Sequence, residues 1–192
     1  MKTPDLILEP TIMAQWHALV SKAEGESAIA LNVELESYLV FLLMRFIDQP
    51  EIAKSILAME FLQTVIGQPP STQLQAVGDK CLLYSGLFAE QAERRHVQIS
   101  YFVYLGQSAY ATLAGHTFKL RAELYHSLSD SFVKLMDVLQ TIRAMNNPHF
   151  LMPLQAIELW KDTGSQYALK AAKKTTGGFI VAEQFKNSKP IN

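Results

Sequence analysis

The chain has 192 residues, of which 49% are hydrophobic and 18% are charged, a balance typical of globular proteins that excludes a disordered chain. Its single cysteine, Cys81, excludes an internal disulfide and any metal site built from several thiolates, and it favours a reducing cytoplasm. The net charge of −1 and the isoelectric point near 6.5 argue against nucleic acid as a partner.

Charge is distributed unevenly along the chain. Residues 1–60 carry nine acids against four bases, a balance of −5, whereas residues 161–192 carry six lysines against two acids, a balance of +4. The basic end would either bind an anionic partner or fold against the acidic start of its own chain. The near-neutral isoelectric point favours the second alternative, and the sequence leaves both open.

No membrane segment is predicted. The longest apolar run covers residues 38–44, far short of the roughly 20 residues that a membrane-spanning helix requires. The first five residues, Met-Lys-Thr-Pro-Asp, do not resemble a secretory signal, which needs an apolar core. We therefore expect a cytoplasmic protein with no membrane partner.

Helical patterns dominate the first half of the chain. Thr11 is predicted to cap a helix that reaches about Lys22 and ends at Glu24-Gly25, and a second helix is predicted from Ser27 to Asp48. Apolar spacing predicts a third helix over 52–66, which the Gly-Gln-Pro-Pro sequence at 67–70 ends.

The next two predicted helices flank a glycine. The first opens at Ser71 or Thr72 and is expected to break at Gly86, followed by a polar turn or a short exposed helix over 89–95. The second begins near Ser100 and ends at Gly115. It is apolar on two sides, which predicts a helix buried between neighbours.

The last third of the chain predicts three further helices. A short helix runs through Leu124, and Ser127 or Ser129 caps a strongly amphipathic one. Its inward positions are Phe132, Leu135, Met136, Leu139 and Ile142, and its outward positions are Lys134, Asp137, Gln140 and Thr141. A turn at 146–148 leads to a helical region over 153–174, interrupted at 163–164, then a short extended piece at 179–181 and a disordered tail over 187–192. The sequence thus predicts an all-α bundle of about seven to nine helices in a single domain spanning 1–192.

Two Glu-x-x-His pairs, Glu93/His96 and Glu123/His126, have the spacing that places a carboxylate and an imidazole on one helix face. Ferritin-like di-iron bundles combine two such pairs with lone glutamates, here Glu36 and Glu60. The order of these residues along the chain differs from that pattern, and Glu93 lies in a polar run. We therefore expect no bound metal and no cofactor.

A cluster of polar and aromatic residues is the better candidate for a site. Asp79 interrupts an apolar helix, and a paired carboxylate–guanidinium clamp to Arg94 or Arg95 is expected across the corner near Gly86. The alternative is that the two arginines hold an anionic ligand beside the neighbouring tyrosines. The candidate binding residues are Asp79, Arg94, Arg95, Tyr101, Tyr104 and Glu60.

Glu60 and Arg45 each interrupt an apolar run and are expected to be paired if buried. Cys81 lies on an apolar stripe and is expected to be an inert thiol.

Part of this region carries a resemblance. The residues that carry it are Gly78-Asp79, Leu82, Gly86-Leu87-Phe88, Arg94-Arg95, Tyr101, Gly106 and Ala109-Tyr110. This skeleton, which covers about a fifth of the chain, resembles that of a family of bacterial all-helical proteins to which no activity is attached. The resemblance implies a bacterial, cytoplasmic protein and adds nothing about mechanism.

The sequence holds no paired catalytic constellation and no nucleotide-binding glycine motif. It therefore predicts a non-enzymatic helical protein that acts through binding or self-association. The alternative is a ligand- or metal-dependent enzyme with a site near Asp79, Arg94, Arg95 and Tyr101. Because several helices are apolar nearly all round, we also expect a homodimer.

Overall fold

The structure is a computed structural model that describes residues 11–48, 71–89, 97–146 and 151–175. These residues form eight α-helices and no strands, which confirms the predicted all-α bundle. The helices are α1 (Ile12–Ser27), α2 (Val33–Asp48), α3 (Ser71–Leu87), α4 (Ile99–Gly115), α5 (Leu120–Asp130), α6 (Phe132–Asn146), α7 (Pro153–Thr163) and α8 (Gln166–Thr175). The predictions for 52–70, 89–95, 146–148, 179–181 and 187–192 lie wholly or partly outside the described residues.

Helix α1 begins as predicted and ends later. The Thr11 hydroxyl accepts a hydrogen bond from the Ala14 amide at 3.2 Å, so Thr11 is the N-cap. The helix then passes through Gly25 and ends at Ser27, and its C-cap, Ala28, adopts a left-handed conformation with φ of 58°. The Glu24 carboxylate accepts a hydrogen bond from the Leu31 amide at 2.7 Å. The prediction that Glu24-Gly25 ends this helix is therefore wrong, because these residues stabilise the turn that follows it.

Two further predicted boundaries are corrected. Helix α2 begins at Val33 and not at Ser27, because the Asn32 side chain caps it through a 2.8 Å hydrogen bond from the Leu35 amide. Gly86 does not break α3, which continues to Leu87. A Cβ atom at Gly86 would lie 2.5 Å from Cβ of Leu139, so this glycine allows α3 and α6 to approach closely.

Helix α6 is more deeply buried than its amphipathic pattern predicts. The five apolar positions predicted to face inward are buried, and Lys134 is exposed as predicted. Asp137, Gln140 and Thr141 were expected to face outward and are instead buried, with exposed fractions of 2%, 0% and 9%. The reason is that α6 packs against α1, α3 and α8, so neighbours cover its polar side as well. The residue preceding this helix is Ser131, not Ser127 or Ser129.

The core lies where α3, α4 and α6 meet. Gly106 of α4 packs directly against the ring of Phe132, and a Cβ atom there would also lie 2.9 Å from Cβ of Cys81. Helices α1 and α2 pack together at one side, and α7 and α8 pack together near α4 and α6. None of the described helices is long and apolar enough to cross a membrane.

The described part of the basic C-terminal segment lies beside the end of α1. The Lys170 ammonium donates a hydrogen bond to the Glu26 carbonyl at 3.4 Å. A cation at the C-terminal end of a helix interacts favourably with the helix dipole. Over this part of the chain, the basic end folds against the N-terminal region.

Candidate functional site

The clearest buried polar arrangement in the described residues centres on Asp79 of α3, which is 1% exposed. Its Oδ1 atom accepts hydrogen bonds from the hydroxyls of Tyr38, at 2.6 Å, and Tyr110, at 2.7 Å. Its Oδ2 atom forms an ion pair with the Arg45 guanidinium. Residues from α2 and α4 thus satisfy a carboxylate on α3, as a buried charge requires.

Gly78 shapes the space beside this carboxylate. A Cβ atom at position 78 would lie 2.5 Å from the Tyr110 ring, closer than carbon atoms approach. The absence of a side chain therefore lets the Tyr110 ring lie against α3, one residue before Asp79. The Tyr110 ring also makes an edge contact with the Tyr38 ring, with centroids 6.3 Å apart.

A second layer of hydrogen bonds extends from Tyr38 to α5. The Tyr125 hydroxyl donates to Oε1 of Gln75 at 3.2 Å, and Nε2 of Gln75 donates to the Tyr38 hydroxyl at 3.3 Å. Gln75 lies four residues before Asp79, on the same face of α3. The chain of contacts connects three helices and fixes the direction in which each amide and hydroxyl points.

The electrostatics keep Tyr38, Tyr110 and Arg45 in one protonation state at neutral pH. Burial raises the pKa of the Tyr38 and Tyr110 hydroxyls, and the negative charge of Asp79 raises it further. Burial by itself would lower the pKa of Arg45, but the attraction of Asp79 outweighs burial and the pKa rises. The tyrosines therefore remain donors and Arg45 remains a cation.

A cavity of about 370 Å³ opens beside this network. It is lined by Tyr38, Phe41, Leu42, Met44, Arg45 and Gln75. The Arg45 side chain is 42% exposed, so Asp79 holds a guanidinium that also faces solvent at the cavity. The cavity thus combines apolar walls with a fixed cation, a hydroxyl and a carboxamide, which is the usual composition of a small-molecule site.

The residues predicted to form the site are only partly brought together. Asp79 lies at the centre of the network, but its cationic partner in the described residues is Arg45. Tyr101 and Tyr104 are 43% and 53% exposed on α4, and the Tyr104 hydroxyl donates to the Asp162 carbonyl at 2.5 Å. Glu60, Arg94 and Arg95 lie outside the described residues.

The sequence marked Arg45 as a charge in an apolar run and Tyr110 as part of the residues that carry the resemblance, but neither was connected to Asp79. Tyr38 and Gln75 were missed. The available signal was the spacing of Tyr38 and Arg45, seven residues and two helical turns apart on one face of α2.

A second buried carboxylate, Asp137 of α6, is hydrogen-bonded by neutral donors among the described residues. Its Oδ1 accepts from the Ser165 hydroxyl at 2.5 Å, and its Oδ2 accepts from the Gln166 and Tyr167 amides at 2.8 and 3.3 Å. Ser165 also caps α8 by accepting from the Ala168 amide at 3.0 Å. Burial raises the pKa of Asp137 to about 6 even though these hydrogen bonds favour the charged form. Asp137 therefore anchors the start of α8 and does so through neutral donors.

The residues that the sequence offered as metal ligands or as a nucleophile do not form a site in the described residues. Glu123 and His126 are exposed on α5, and Glu36 lies 3.2 Å from His17. No group of three or more metal-ligating side chains occurs in the part of the chain that the structure describes. Glu93 and His96 lie outside that part. Cys81 is fully buried, and burial raises the pKa of its thiol well above the ordinary value, so it is not poised as a nucleophile.

Comparison of the chain with protein-family models, curated proteins and solved structures finds no match. The resemblance to a bacterial helical family therefore stays a prediction.

Proposed function

We propose that this protein is a non-enzymatic binding protein whose cavity beside Asp79 takes a small organic carboxylate with an apolar body. The observation that carries the proposal is the Arg45 guanidinium, which the buried Asp79 holds in place at the rim of a cavity of about 370 Å³. That volume is at the small end of the range for ligand pockets.

The chemistry of the guanidinium supports a carboxylate as the ligand group. Arginine has five N–H donors in a planar fork, and its hydrogen bond to Asp79 comes from one terminal nitrogen. A planar carboxylate matches the remaining donors in a bidentate arrangement. Phe41, Leu42 and Met44 supply apolar surface for the rest of the molecule.

The state of the neighbouring groups supports binding over catalysis. General acid–base chemistry requires a group that exchanges a proton near the operating pH. Asp79 already accepts from three partners, and the raised pKa of Tyr38 and Tyr110 keeps both hydroxyls protonated. The network is suited to holding a ligand in one orientation.

Calorimetric titration with benzoate and hexanoate tests this proposal, with benzyl alcohol and hexanol as neutral counterparts. We expect the two carboxylates to bind and their alcohols to bind at least about tenfold more weakly, since the ion pair is lost. Arg45→Gln should abolish carboxylate binding, and Arg45→Lys should weaken it because the fork is lost.

Phe41→Ala serves as a second variant. Because Phe41 is 55% exposed, its loss should leave the fold intact, and it should weaken carboxylate binding because it removes part of the cavity wall. Lys22→Gln, an exposed lysine on α1, is the charge-matched control and should bind like the unchanged protein. Carboxylate binding that survives Arg45→Gln would overturn the proposal.

Self-association is the second candidate. Several large apolar side chains lie on the surface of the described residues, including Phe118 in the connection between α4 and α5 and Leu120 at the start of α5, which are 89% and 78% exposed. We propose that two copies of the chain form a homodimer through this exposed apolar surface.

We also propose a cytoplasmic location, supported by the single buried and reduced Cys81. We further propose that nucleic acid is not a partner, which the net charge of −1 supports.

A further inference from the structure

A second cavity, of about 320 Å³, lies between the end of α1, the C-terminal half of α6 and one face of α8. Its residues are Glu26, Ser27, Thr141, Ala144, Met145, Gln166, Tyr167, Lys170, Ala171 and Lys174. It shares no residue with the cavity beside Asp79. The two cavities are thus separate places on the molecule.

The walls of this second cavity are of two kinds. Ala144, Met145 and Ala171, together with the ring of half-buried Tyr167, form apolar surface. Lys170 and Lys174 are exposed and four residues apart on α8, so both ammonium groups project from the same face of the helix. Among the described residues that line this cavity, Glu26 is the one acid against two lysines, which gives an excess of positive charge.

The helix that carries these lysines is anchored at its start by α6. The carboxylate of Asp137 and the hydroxyl of Ser165 hold the first turn of α8. The Lys170 ammonium, which has three N–H donors, donates to the Glu26 carbonyl at 3.4 Å, and both residues line the cavity.

We propose that this cavity is a binding site for an organic phosphate monoester, with the apolar group against Met145 and Tyr167 and the phosphate between Lys170 and Lys174. A phosphate monoester carries close to two negative charges at neutral pH and three acceptor oxygens. Two lysines one helical turn apart match that charge, and lysine binds phosphate as a point charge without the planar geometry that arginine demands. The site is independent of the carboxylate site at Arg45.

Calorimetric titration with phenyl phosphate tests the proposal, with inorganic phosphate and phenol as the two halves of the probe. Phenyl phosphate should bind at least about tenfold more tightly than either half, because only the whole molecule uses both the lysines and the apolar wall. Equal affinity for inorganic phosphate would overturn the proposal, since it would mean that the cavity wall is not used.

Three single variants of one helix provide the matched comparison. Lys170→Gln and Lys174→Gln should each weaken phenyl phosphate binding about fivefold to tenfold. Lys173→Gln removes the same charge from a lysine of α8 that does not line the cavity and should change the affinity less than twofold. An equal loss in all three variants would overturn the proposal, because it would indicate non-specific attraction to the basic helix.

Arg45→Gln identifies which cavity the probe occupies. Phenyl phosphate binding should persist in this variant. If it is lost there and unaffected by Lys170→Gln, the probe occupies the cavity beside Asp79 and the second site is disproved. Circular dichroism of each variant confirms that the helices are retained.

Discussion

The two buried aspartate carboxylates are stabilised in different ways. Asp79 faces a cation and two hydroxyls, so its charge is neutralised inside the protein. Among the described residues, Asp137 faces one hydroxyl and two amides at the start of α8, so these partners stabilise its charge through dipoles. The second arrangement permits titration near neutral pH, because burial raises the pKa of Asp137 to about 6.

Removing the charge of Asp79 should strongly destabilise the protein. Asp79→Asn leaves the Arg45 guanidinium without a counter-charge and places an amide donor beside it. We expect the free energy of unfolding to fall by about 3 kcal/mol, the lower end for a broken buried pair because Arg45 is partly exposed. Tyr110→Phe removes one hydroxyl donor and should cost about 1 kcal/mol. Urea unfolding measures both.

The control for this comparison is Asp130→Asn, which makes the same chemical change at an exposed position of α5. Its effect should stay within about 0.5 kcal/mol. If Asp79→Asn cost no more than this control, the network would contribute nothing to stability.

Asp137 should make stability depend on pH. Its pKa is about 6 in the folded protein, above the ordinary value of 3.8, so the folded state keeps the proton longer than the unfolded state. The stability that this group contributes is complete below about pH 4 and is lost as the pH rises through about 6. The Asp137→Asn variant has no proton to lose at this position, so it does not show this loss of stability. Between pH 4 and pH 7 the unchanged protein should therefore lose about 2–3 kcal/mol of stability relative to the variant.

Urea unfolding of both proteins at pH 4 and pH 7 measures this difference, and the contributions of all other titrating groups cancel. A stability difference that is the same at both pH values would show that burial does not raise the pKa of Asp137.

At the level of the helices, replacing a glycine with alanine should lower the stability of the protein where two helices are in close contact and raise it where the glycine faces open space. Gly106→Ala would push a methyl group into the Phe132 ring and against Cys81, and should destabilise the protein by about 1–3 kcal/mol. Gly25→Ala meets no atom within 4 Å in the last turns of α1 and should stabilise it by about 0.5–1 kcal/mol. Thermal unfolding distinguishes them, and a gain in stability from Gly106→Ala would contradict the packing described here.

The pattern of apolar residues predicted the helices better than it predicted their surroundings. Thr11, Gly115 and the break at 163–164 mark helix ends that depend on local chemistry, and the structure confirms them. Gly86 failed as a breaker because its role is a contact with α6, which no local pattern reveals.

The site shows the same limit. Asp79 stood out because a charge in an apolar helix is costly, but its partners Tyr38 and Arg45 come from a helix more than thirty residues away in sequence. Periodicity states which face of a helix is buried and does not state what covers it. Asp137 and Gln140 were assigned to solvent for that reason, since a polar residue is usually exposed unless a neighbouring helix supplies its partners.

For the whole molecule, the exposed apolar side chains predict the behaviour of the protein in solution. If Phe118 and Leu120 take part in a homodimer, the double variant Phe118→Ser and Leu120→Ser should be monomeric at concentrations where the unchanged protein is dimeric. Light scattering should then report 21.5 kDa for the variant and twice that mass for the unchanged chain. Because both side chains are exposed in the single chain, the unfolding free energy of the variant should differ little from that of the unchanged protein. A monomer in both cases would contradict the proposed dimer.

The packing of α1 on α6 also has a consequence for biosynthesis. Val20 and Ala23 of α1 are completely buried, and one of the surfaces against which α1 packs is α6, which ends at Asn146. A ribosome adding 5–20 residues per second needs roughly 6 to 24 seconds to proceed from the end of α1 to the end of α6. During that interval the first helix of the nascent chain has only part of its apolar side covered. This stretch is where a chaperone that binds exposed apolar segments would act on the growing chain.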